Sequence, residues 1–439
     1  MATAISTAAA EQTTAWIEPR TVRVKIEHVC DRIQSASASP SSSPSSSVVE
    51  YEIRGLRDEE VPGWARFCAS VFAYKAHPPS PSYFERHFYN DPRKDASLIR
   101  VAFHGDRMVS SCRIFRRTVA CASVSDQSEA GGIGEVCTDP DHRRRGLSKL
   151  LLHDAIKIMK SLGMRVSMLH AAPAFFPVYQ RGGKYENVVS RWSDIRVPIG
   201  RDGTTATATA TATATTLMDS FTLRPAEFPR DTERLQCLHQ EFSEKRFFGC
   251  IIRSAQYWND YISKELSENL WVATRIADTN GQKIQDVVVN SSNSNSNISD
   301  DRSGCTDGDI VAWLSLRPRG PRRYQIREFG IDLETITSTT TKAALLSRLV
   351  HTALRDEGPT TDGSAKENGR SVILNLPTSL LQDEIGLETD LIKNRKSDLL
   401  HDWEFVGNAD DEGWMYRSLD GSALPIPTKP HLIWPTDAF

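Results

Sequence analysis

One stretch of the sequence, residues 133–152, joins a strand, a basic turn and the start of a long helix. The strand pattern stops at Pro140, and apolar residues then recur at positions 147, 151, 155, 158 and 162, the period of an amphipathic helix. Three arginines and a glycine, residues 143–146, fall where a helix has free N–H groups and the positive end of its dipole. Because Gly146 has no Cβ, the backbone can approach an anion there. The stretch therefore predicts a phosphate-binding βα junction.

The composition excludes several classes of protein. The chain has 439 residues, enough for two or three domains, and its 25% charged and 39% hydrophobic residues are typical of a soluble globular protein. A formal net charge of -3 argues against a general nucleic-acid binder. No apolar run reaches the length of a membrane-spanning helix, so we expect neither a nucleic-acid nor a membrane partner.

The cysteines indicate a reducing compartment. The chain has 8 of them, none in a C-x-x-C pair, and their spacing predicts no disulfide framework and no metal site. The N-terminus lacks the basic start of a secretory signal. We expect a cytoplasmic protein, with a nuclear location and organelle import left open because residues 1–48 are rich in Ser, Ala and Thr.

Low-complexity segments divide the chain. Residues 1–48 end in a Ser/Pro-rich run and are predicted to be disordered, although residues 21–26 alternate like a strand. A first domain is predicted over residues 49–200, with its last two strands near 184–197. The Ala/Thr-rich residues 201–216 are predicted to be a linker.

The second half repeats the order of elements of the first. We predict a second domain over residues 217–420, with an Asn/Ser-rich disordered insertion at 277–307 and a closing hairpin built from residues 403–406 and 414–417. Its strand–helix junction, residues 332–341, is acidic and Thr-rich, with no arginine or glycine. Such a junction cannot hold a pyrophosphate well, so we predict one active site per chain. The apolar tail, residues 421–439, is predicted to dock toward that site.

The basic turn carries a resemblance to a known family. Residues 143–148 resemble the R/Q-x-x-G-x-G/A signature of the GNAT acetyltransferases, with Ser148 where that family usually has Gly or Ala. The resemblance implies a mixed α+β (α/β) class with two tandem GNAT-type domains, each a mixed central sheet flanked by helices, the second degenerate. Residues 142–147 and 247–254, followed by Tyr257-Trp258, are similar to motifs of the Eis (enhanced intracellular survival) type. The sterol-carrier-like domain usual in that type is not evident, and the oligomeric state stays open.

The resemblance implies an acetyl-CoA-dependent N-acetyltransferase. Acetyl-CoA would be the co-substrate, without a metal, and its acetyl group would pass to a primary amine by direct attack in a ternary complex. The amine could belong to a lysine side chain, a polyamine or an aminoglycoside-like small molecule. The alternative is a non-catalytic acyl-CoA-binding or protein-interaction module. Intact Arg143, Gly146 and Tyr179 favour the enzyme.

The resemblance also assigns candidate cofactor-binding residues. Main-chain groups of the strand before the turn would pair with the pantetheine arm, with a backbone N–H near Val136 as oxyanion donor. The turn would hold the pyrophosphate, and the start of a later helix would touch the pantetheine or adenine side. The residues concerned are Val136, Cys137 and Thr138 on the strand, Arg143, Arg144, Arg145, Gly146, Leu147, Ser148 and Lys149 at the turn, and Ala174 and Phe175 on the later helix.

The acid is Tyr179 by resemblance, and the base stays open. Residues 178–183 resemble the F-Y-x-x-x-G motif, in which the tyrosine protonates the thiolate. For the base, alternation along the strand points Glu135 away from the face of Val136. His170 ends the next strand, and histidines titrate near neutral pH. The third candidate, implied by the Eis-type resemblance, is the terminal carboxylate of Phe439.

Overall fold

The computed structural model describes residues 21–29, 46–75, 77–120, 127–199, 220–266, 269–276, 310–356, 371–384, 400, 403–422 and 429–437. These residues form two compact units. The first contains the described parts of Met1–Glu85, Asp95–Ile114 and Glu135–Ala155, and the second those of Arg86–Lys94, Phe115–Gly134 and Ile156–Phe439. In the part of the chain so described, no helix is both long and apolar enough to cross a membrane.

The first unit is built on a sheet in the order β1-β2-β3-β4-β5, in which β1 to β4 are antiparallel neighbours. Helix α1 begins with a proline in its first turn and buries one face, including Trp64, whose indole Nε1 donates to Ser111 Oγ at 2.9 Å. The elements that lie wholly or partly in this unit are β1 (Val22–Val29), β2 (Ser46–Gly55), α1 (Val61–Val71), α2 (Pro81–Tyr89), β3 (Ile99–His104), β4 (Arg107–Ala120), β5 (Gln127–Thr138) and α3 (Leu147–Ser161).

In the second unit, β5 pairs in parallel with β6 (Val166–His170), through residues 130–133 and 166–169. Strand β15 (Asp411–Ser418) lies next to β6 and antiparallel to it, and its other edge pairs with β7 (Glu186–Ser190). Helix α4 (Phe176–Gly183) connects β6 to β7. This sheet therefore includes a strand from the last thirty residues of the chain.

A second sheet of this unit has the order β14-β8-β13-β12-β11-β10-β9. All its pairs are antiparallel except β12 with β13. Leu345, Leu346, Leu349 and Val350 of its long helix α8 are fully buried in the same core as Ile326 of β12. The strands are β8 (Trp192–Pro198), β9 (Phe221–Pro225), β10 (Leu270–Arg275), β11 (Ile310–Gly320), β12 (Arg323–Ile331), β13 (Ser371–Pro377) and β14 (Glu404–Asn408), and the helices are α5 (Thr232–His239), α6 (Ala255–Tyr257), α7 (Ser263–Leu266) and α8 (Thr339–Asp356).

The two halves of the sequence exchange strands, which the sequence analysis did not foresee. Strand β8 was expected to close the first domain, but it pairs along its whole length with β13 in the second sheet. Strands β14 and β15 do not form the predicted hairpin, because they belong to different sheets. Between them, Ala409 N–H donates to the Trp192 carbonyl and Asp410 accepts from Trp192 N–H, so the chain is held at the start of β8 as it crosses.

Two further expectations concern segments predicted to be disordered. Residues 22–29, inside the predicted disordered segment 1–48, form β1, because the alternating Val22, Val24 and Ile26 pair in register with β2. The predicted linker 201–216 and the predicted insertion 277–307 both lie outside the described residues.

Candidate active site

The junction between β5 and α3 is a compact basic turn. Asp139 accepts from Asp141 N–H at 2.9 Å and from Arg107 at 2.6 Å, which fixes the 3-10 turn Pro140–His142. Beyond it, Arg144 (φ 59°) and Gly146 (φ 75°) both adopt left-handed backbone conformations. The turn thereby reverses the chain within a few residues and aims the start of α3 at solvent.

The three arginines of the turn differ in their contacts. Arg145 donates to the buried Tyr51 hydroxyl at 2.9 Å and to the Asp141 carbonyl at 2.9 Å. Arg143 Nε donates to the Thr138 carbonyl at 3.2 Å, and both Arg143 and Arg144 are exposed. Arg145 therefore braces the turn, whereas Arg143 and Arg144 can present their guanidinium groups to an anion.

The neutral side chain of His142 supports the turn through the Tyr51 hydroxyl. The Tyr51 hydroxyl lies 3.0 Å from His142 Nδ1. Burial, with Arg145 nearby, lowers the pKa of His142, so this side chain is neutral at neutral pH. The Tyr51 oxygen also accepts from Arg145 at 2.9 Å.

The first turn of α3 has the properties of an anion site. Leu150 N–H makes the bond to the Gly146 carbonyl, at 3.0 Å, so the N–H groups of Leu147, Ser148 and Lys149 precede the helical ladder. Gly146 has no side chain to cap them, and a Cβ built on it would meet no atom within 4 Å. Leu147 is buried and anchors the helix, while Lys149 is exposed. This open cradle fits a phosphate group.

Strand β5 continues beyond its ladder with β6, which ends at Ile133. Cys137 is buried, and its carbonyl accepts from Ser110 Oγ at 2.9 Å. Thr138 Oγ1 lies 2.8 Å from the same hydroxyl. These bonds fix the strand end, and the roles of Val136, Cys137 and Thr138 toward a cofactor stay predictions.

Glu135 lies in the same strand with a left-handed backbone, φ 51°. Its carboxylate forms an ion pair with Arg113 at 3.5 Å, and the side chains of both residues are more than 90% buried. A carboxylate paired with arginine is stabilised as the anion and is a weak proton acceptor. The structure therefore argues against Glu135 as the base.

His170, at the end of β6, is held by β15. Its Nε2 lies 2.9 Å from Asp411 Oδ1 and 3.1 Å from Oδ2, and the Trp414 ring packs edge-on at 5.1 Å. A Cβ at Gly413 would lie 2.5 Å from His170 Nε2, so glycine is needed beside the ring. Burial alone would raise the pKa of Asp411, but the bonds from His170 and Gly413 N–H outweigh it and the pKa is lowered. The side chain of His170 remains 40% exposed.

Tyr179 lies on α4, half-buried, with its ring 6.3 Å from that of Tyr185. The Tyr185 hydroxyl is bound to Ser167 Oγ at 2.7 Å inside the core, so of these two neighbours Tyr179 is the more accessible. Ala174 and Phe175, just before α4, are exposed, and Phe175 retains half of its accessible surface. All three stay predictions as site residues.

Phe439 lies outside the described residues, but the tail is docked as far as Asp437. Trp434 is fully buried and donates to Ser243 Oγ at 2.9 Å. Asp437 pairs with Arg253 at 2.7 Å, and Arg253 also binds Glu328 at 2.5 Å, all three side chains being fully buried. Burial raises the pKa of Glu328. The sequence analysis expected a docked tail but not this ion cluster.

The corresponding junction of the second sheet, between β12 and α8, satisfies its own N–H groups. The Asp332 carboxylate accepts from Glu334 N–H and Thr335 N–H, both at 3.0 Å, and from Arg234 at 2.6 Å. The hydroxyl of Ser338, which precedes α8, accepts from Thr341 N–H at 3.4 Å. The start of α8 is thus capped by a hydroxyl of the chain itself, while Asp332 holds the preceding turn as Asp139 does at the first junction.

Parts of this chain are similar to known proteins in sequence and in fold. Residues 52–188 match the family model described as the acetyltransferase (GNAT) domain. A GCN5-related N-acetyltransferase from Anabaena variabilis is similar in structure, with 12% identity, 84% of this chain and 73% of that chain covered, and a TM-score of 0.50. A probable N-acyltransferase from Enterococcus faecalis has 11% identity over 84% and 73%, with a TM-score of 0.51. Eis1 from Mycobacterium abscessus has 13% identity over 84% and 74%, with a TM-score of 0.47.

By sequence, no curated protein is significantly similar to this chain. This chain carries a GNAT acetyltransferase domain over residues 52–188, and the predicted α+β fold with two mixed sheets is confirmed.

Proposed function

We propose that this protein is an acetyl-CoA-dependent N-acetyltransferase that acetylates a primary amine by direct attack in a ternary complex. The observation that carries the proposal is the open start of α3, where three backbone N–H groups and two exposed guanidinium groups surround a glycine without a side-chain cap. That donor set matches the charge and the size of a pyrophosphate. Bound acetyl-CoA would supply the thioester whose carbonyl carbon the amine attacks.

Different residues of the chain bind the co-substrate, remove the proton of the amine and return a proton to the thiolate. Arg143, Arg144 and the first turn of α3 hold the anionic end of the co-substrate. His170 Nδ1 takes the proton that the amine must lose, and the Tyr179 hydroxyl returns a proton to the departing thiolate. The products are then an N-acetylamine and a free thiol, and the proton held by His170 returns to the Tyr179 oxygen through solvent, so that protons and charge balance over the cycle.

His170 is the base that we favour, because its ring is partly exposed whereas Glu135 is buried in an ion pair. The Phe439 carboxylate stays the competing candidate, since the tail is anchored two residues before it by Asp437. Appending four glycines after Phe439 distinguishes the two. Unchanged turnover is expected if His170 is the base, and a large loss would indicate the terminal carboxylate.

The test of the function measures binding and turnover separately. Calorimetry with acetyl-CoA is expected to show binding, and a panel of polyamines, lysine peptides and aminoglycosides is then assayed by free-thiol release. Acceptor-dependent thiol release would support the enzyme, and the His170→Gln variant should keep binding while losing turnover about a hundredfold. Binding without turnover on any amine would instead favour an acyl-CoA-binding module.

A further inference from the structure

The proposed base is oriented by a strand from the other end of the sequence. His170 and Trp414 are direct partners in the antiparallel ladder of β6 and β15. Asp411, at the start of β15, turns its carboxylate onto His170 Nε2 at 2.9 Å. Asp411 also accepts from Gly413 N–H at 2.9 Å, which fixes the carboxylate in that position.

The same strand makes room for the imidazole and limits its rotation. Gly413 leaves space that any other residue would fill, since its Cβ would lie 2.5 Å from Nε2 and 2.8 Å from Cε1 of His170. Trp414 covers the ring from the side at a 71° angle. Three residues of β15 therefore fit the His170 ring. Asp411 supplies a carboxylate, Gly413 leaves space for the ring, and Trp414 packs against its side.

We propose that Asp411 is a positioning residue for His170, so that the exchanged strand β15 completes the surroundings of the proposed base. The inference rests on the proposed function, in which His170 is the base. The Asp411 carboxylate accepts a hydrogen bond from His170 Nε2–H. This bond fixes the tautomer in which Nδ1 carries the lone pair. Among the described residues, no hydrogen bond occupies Nδ1, so it is available to the amine.

Among the described residues, Asp411 is the charged group that contacts the His170 ring. The titratable groups that the packed elements bring near the ring are Asp411 on β15 and His431 on the tail. Burial lowers the pKa of His431 to about 3, so His431 is neutral in the physiological range. The imidazolium that forms when His170 takes a proton is therefore stabilised by one carboxylate.

The test compares Asp411→Asn with Glu412→Gln, which removes the same charge from the exposed neighbour on the same strand. The imidazole 15N chemical shifts of His170 report which ring nitrogen carries the proton, without any substrate. Asp411→Asn is expected to move part of the His170 population to the tautomer with the proton on Nδ1, because the carboxylate that accepts from Nε2–H is gone. Glu412→Gln is expected to leave the proton on Nε2.

Turnover provides the second readout. Asp411→Asn is expected to lower kcat about tenfold to a hundredfold with an unchanged KM for acetyl-CoA, and Asp411→Glu should recover part of the loss. In a His170→Gln background the same substitution should add nothing. An unchanged His170 tautomer in a folded Asp411→Asn protein would overturn the role of Asp411. A changed tautomer together with full turnover of His170→Gln would instead contradict the proposed base.

Discussion

The two strand–helix junctions of this chain, residues 138–147 and 331–339, start alike and end differently. Each begins with an aspartate, Asp139 or Asp332, that accepts backbone N–H groups of the following turn. The first junction then continues through a left-handed arginine and glycine and leaves the start of its helix uncapped. The second ends at Ser338, whose hydroxyl caps α8.

The difference shows what an anion site requires beyond a strand and a helix. Both helices have a positive N-terminal end. At the second junction, side chains of the chain itself accept hydrogen bonds from backbone N–H groups. Arg234, a cation close to this junction, is paired with Asp332 at 2.6 Å. At the first, Arg143 and Arg144 are exposed and the N–H groups face open space. The first junction is therefore the one that we propose as the binding site, whereas the second is a helix start capped by its own serine.

The largest expected effect on acetyl-CoA binding comes from placing a carboxylate at the open start of α3. Gly146→Asp should weaken acetyl-CoA binding at least about a hundredfold, because a fixed negative charge repels phosphate and fills the cradle. Gly105→Asp is the matched control, since Gly105 also has positive φ and open space around it. Calorimetry checks both variants. If Gly146→Asp bound as tightly as Gly105→Asp, the junction would not be the site.

A smaller effect is expected from the exposed arginines. Arg143→Ala and Arg144→Ala should each weaken acetyl-CoA binding about tenfold without changing Tm, since each removes a charge-assisted bond to phosphate. Isothermal titration and thermal unfolding measure the two quantities on the same samples.

Arg145→Ala should behave in the opposite way. It removes the charge-assisted bond to the buried Tyr51 hydroxyl and the bond to the Asp141 carbonyl, so we expect the free energy of unfolding to fall by about 1–3 kcal/mol. A normal Tm for Arg145→Ala would show that this arginine does not brace the turn.

A substitution at the second junction should lower the stability of the protein without changing its binding of acetyl-CoA. Asp332→Ala leaves several donors unsatisfied and should cost about 1–3 kcal/mol of unfolding free energy. The pKa of Asp332 is lowered: burial opposes this shift, but the bonds from Thr335 and Arg234 outweigh it. A lowered pKa stabilises the fold above the unfolded value of about 4 and ceases to do so as pH falls below it. The stability gap between wild type and variant should therefore be constant near neutral pH and shrink in acid.

Local patterns made the first junction predictable. The helical period, Pro140 and the basic turn lie within twenty residues, so the end of the strand, the turn and α3 were found close to their observed bounds, although β5 begins six residues before the predicted start at 133. The degenerate second junction was visible for the same reason. Strands β14 and β15 are separated by two residues and resemble a hairpin, and only tertiary pairing assigns them to different sheets.

Partners distant in sequence could not be predicted. Asp411 is 241 residues away from His170, and Arg253 is 184 residues away from Asp437. Neither pair has a local signature, because an aspartate near a glycine or an arginine before a helix is common in turns. The apolar residues of the tail indicated docking, but the charges that fix it become apparent only in the fold.

The stoichiometry of acetyl-CoA binding tests the central claim most directly. Titration of the full chain should give one site per chain, lost in Gly146→Asp and retained at the same affinity in Asp332→Ala. Two sites per chain, or a site that survives Gly146→Asp and disappears in Asp332→Ala, would contradict the assignment of the cofactor to the first junction.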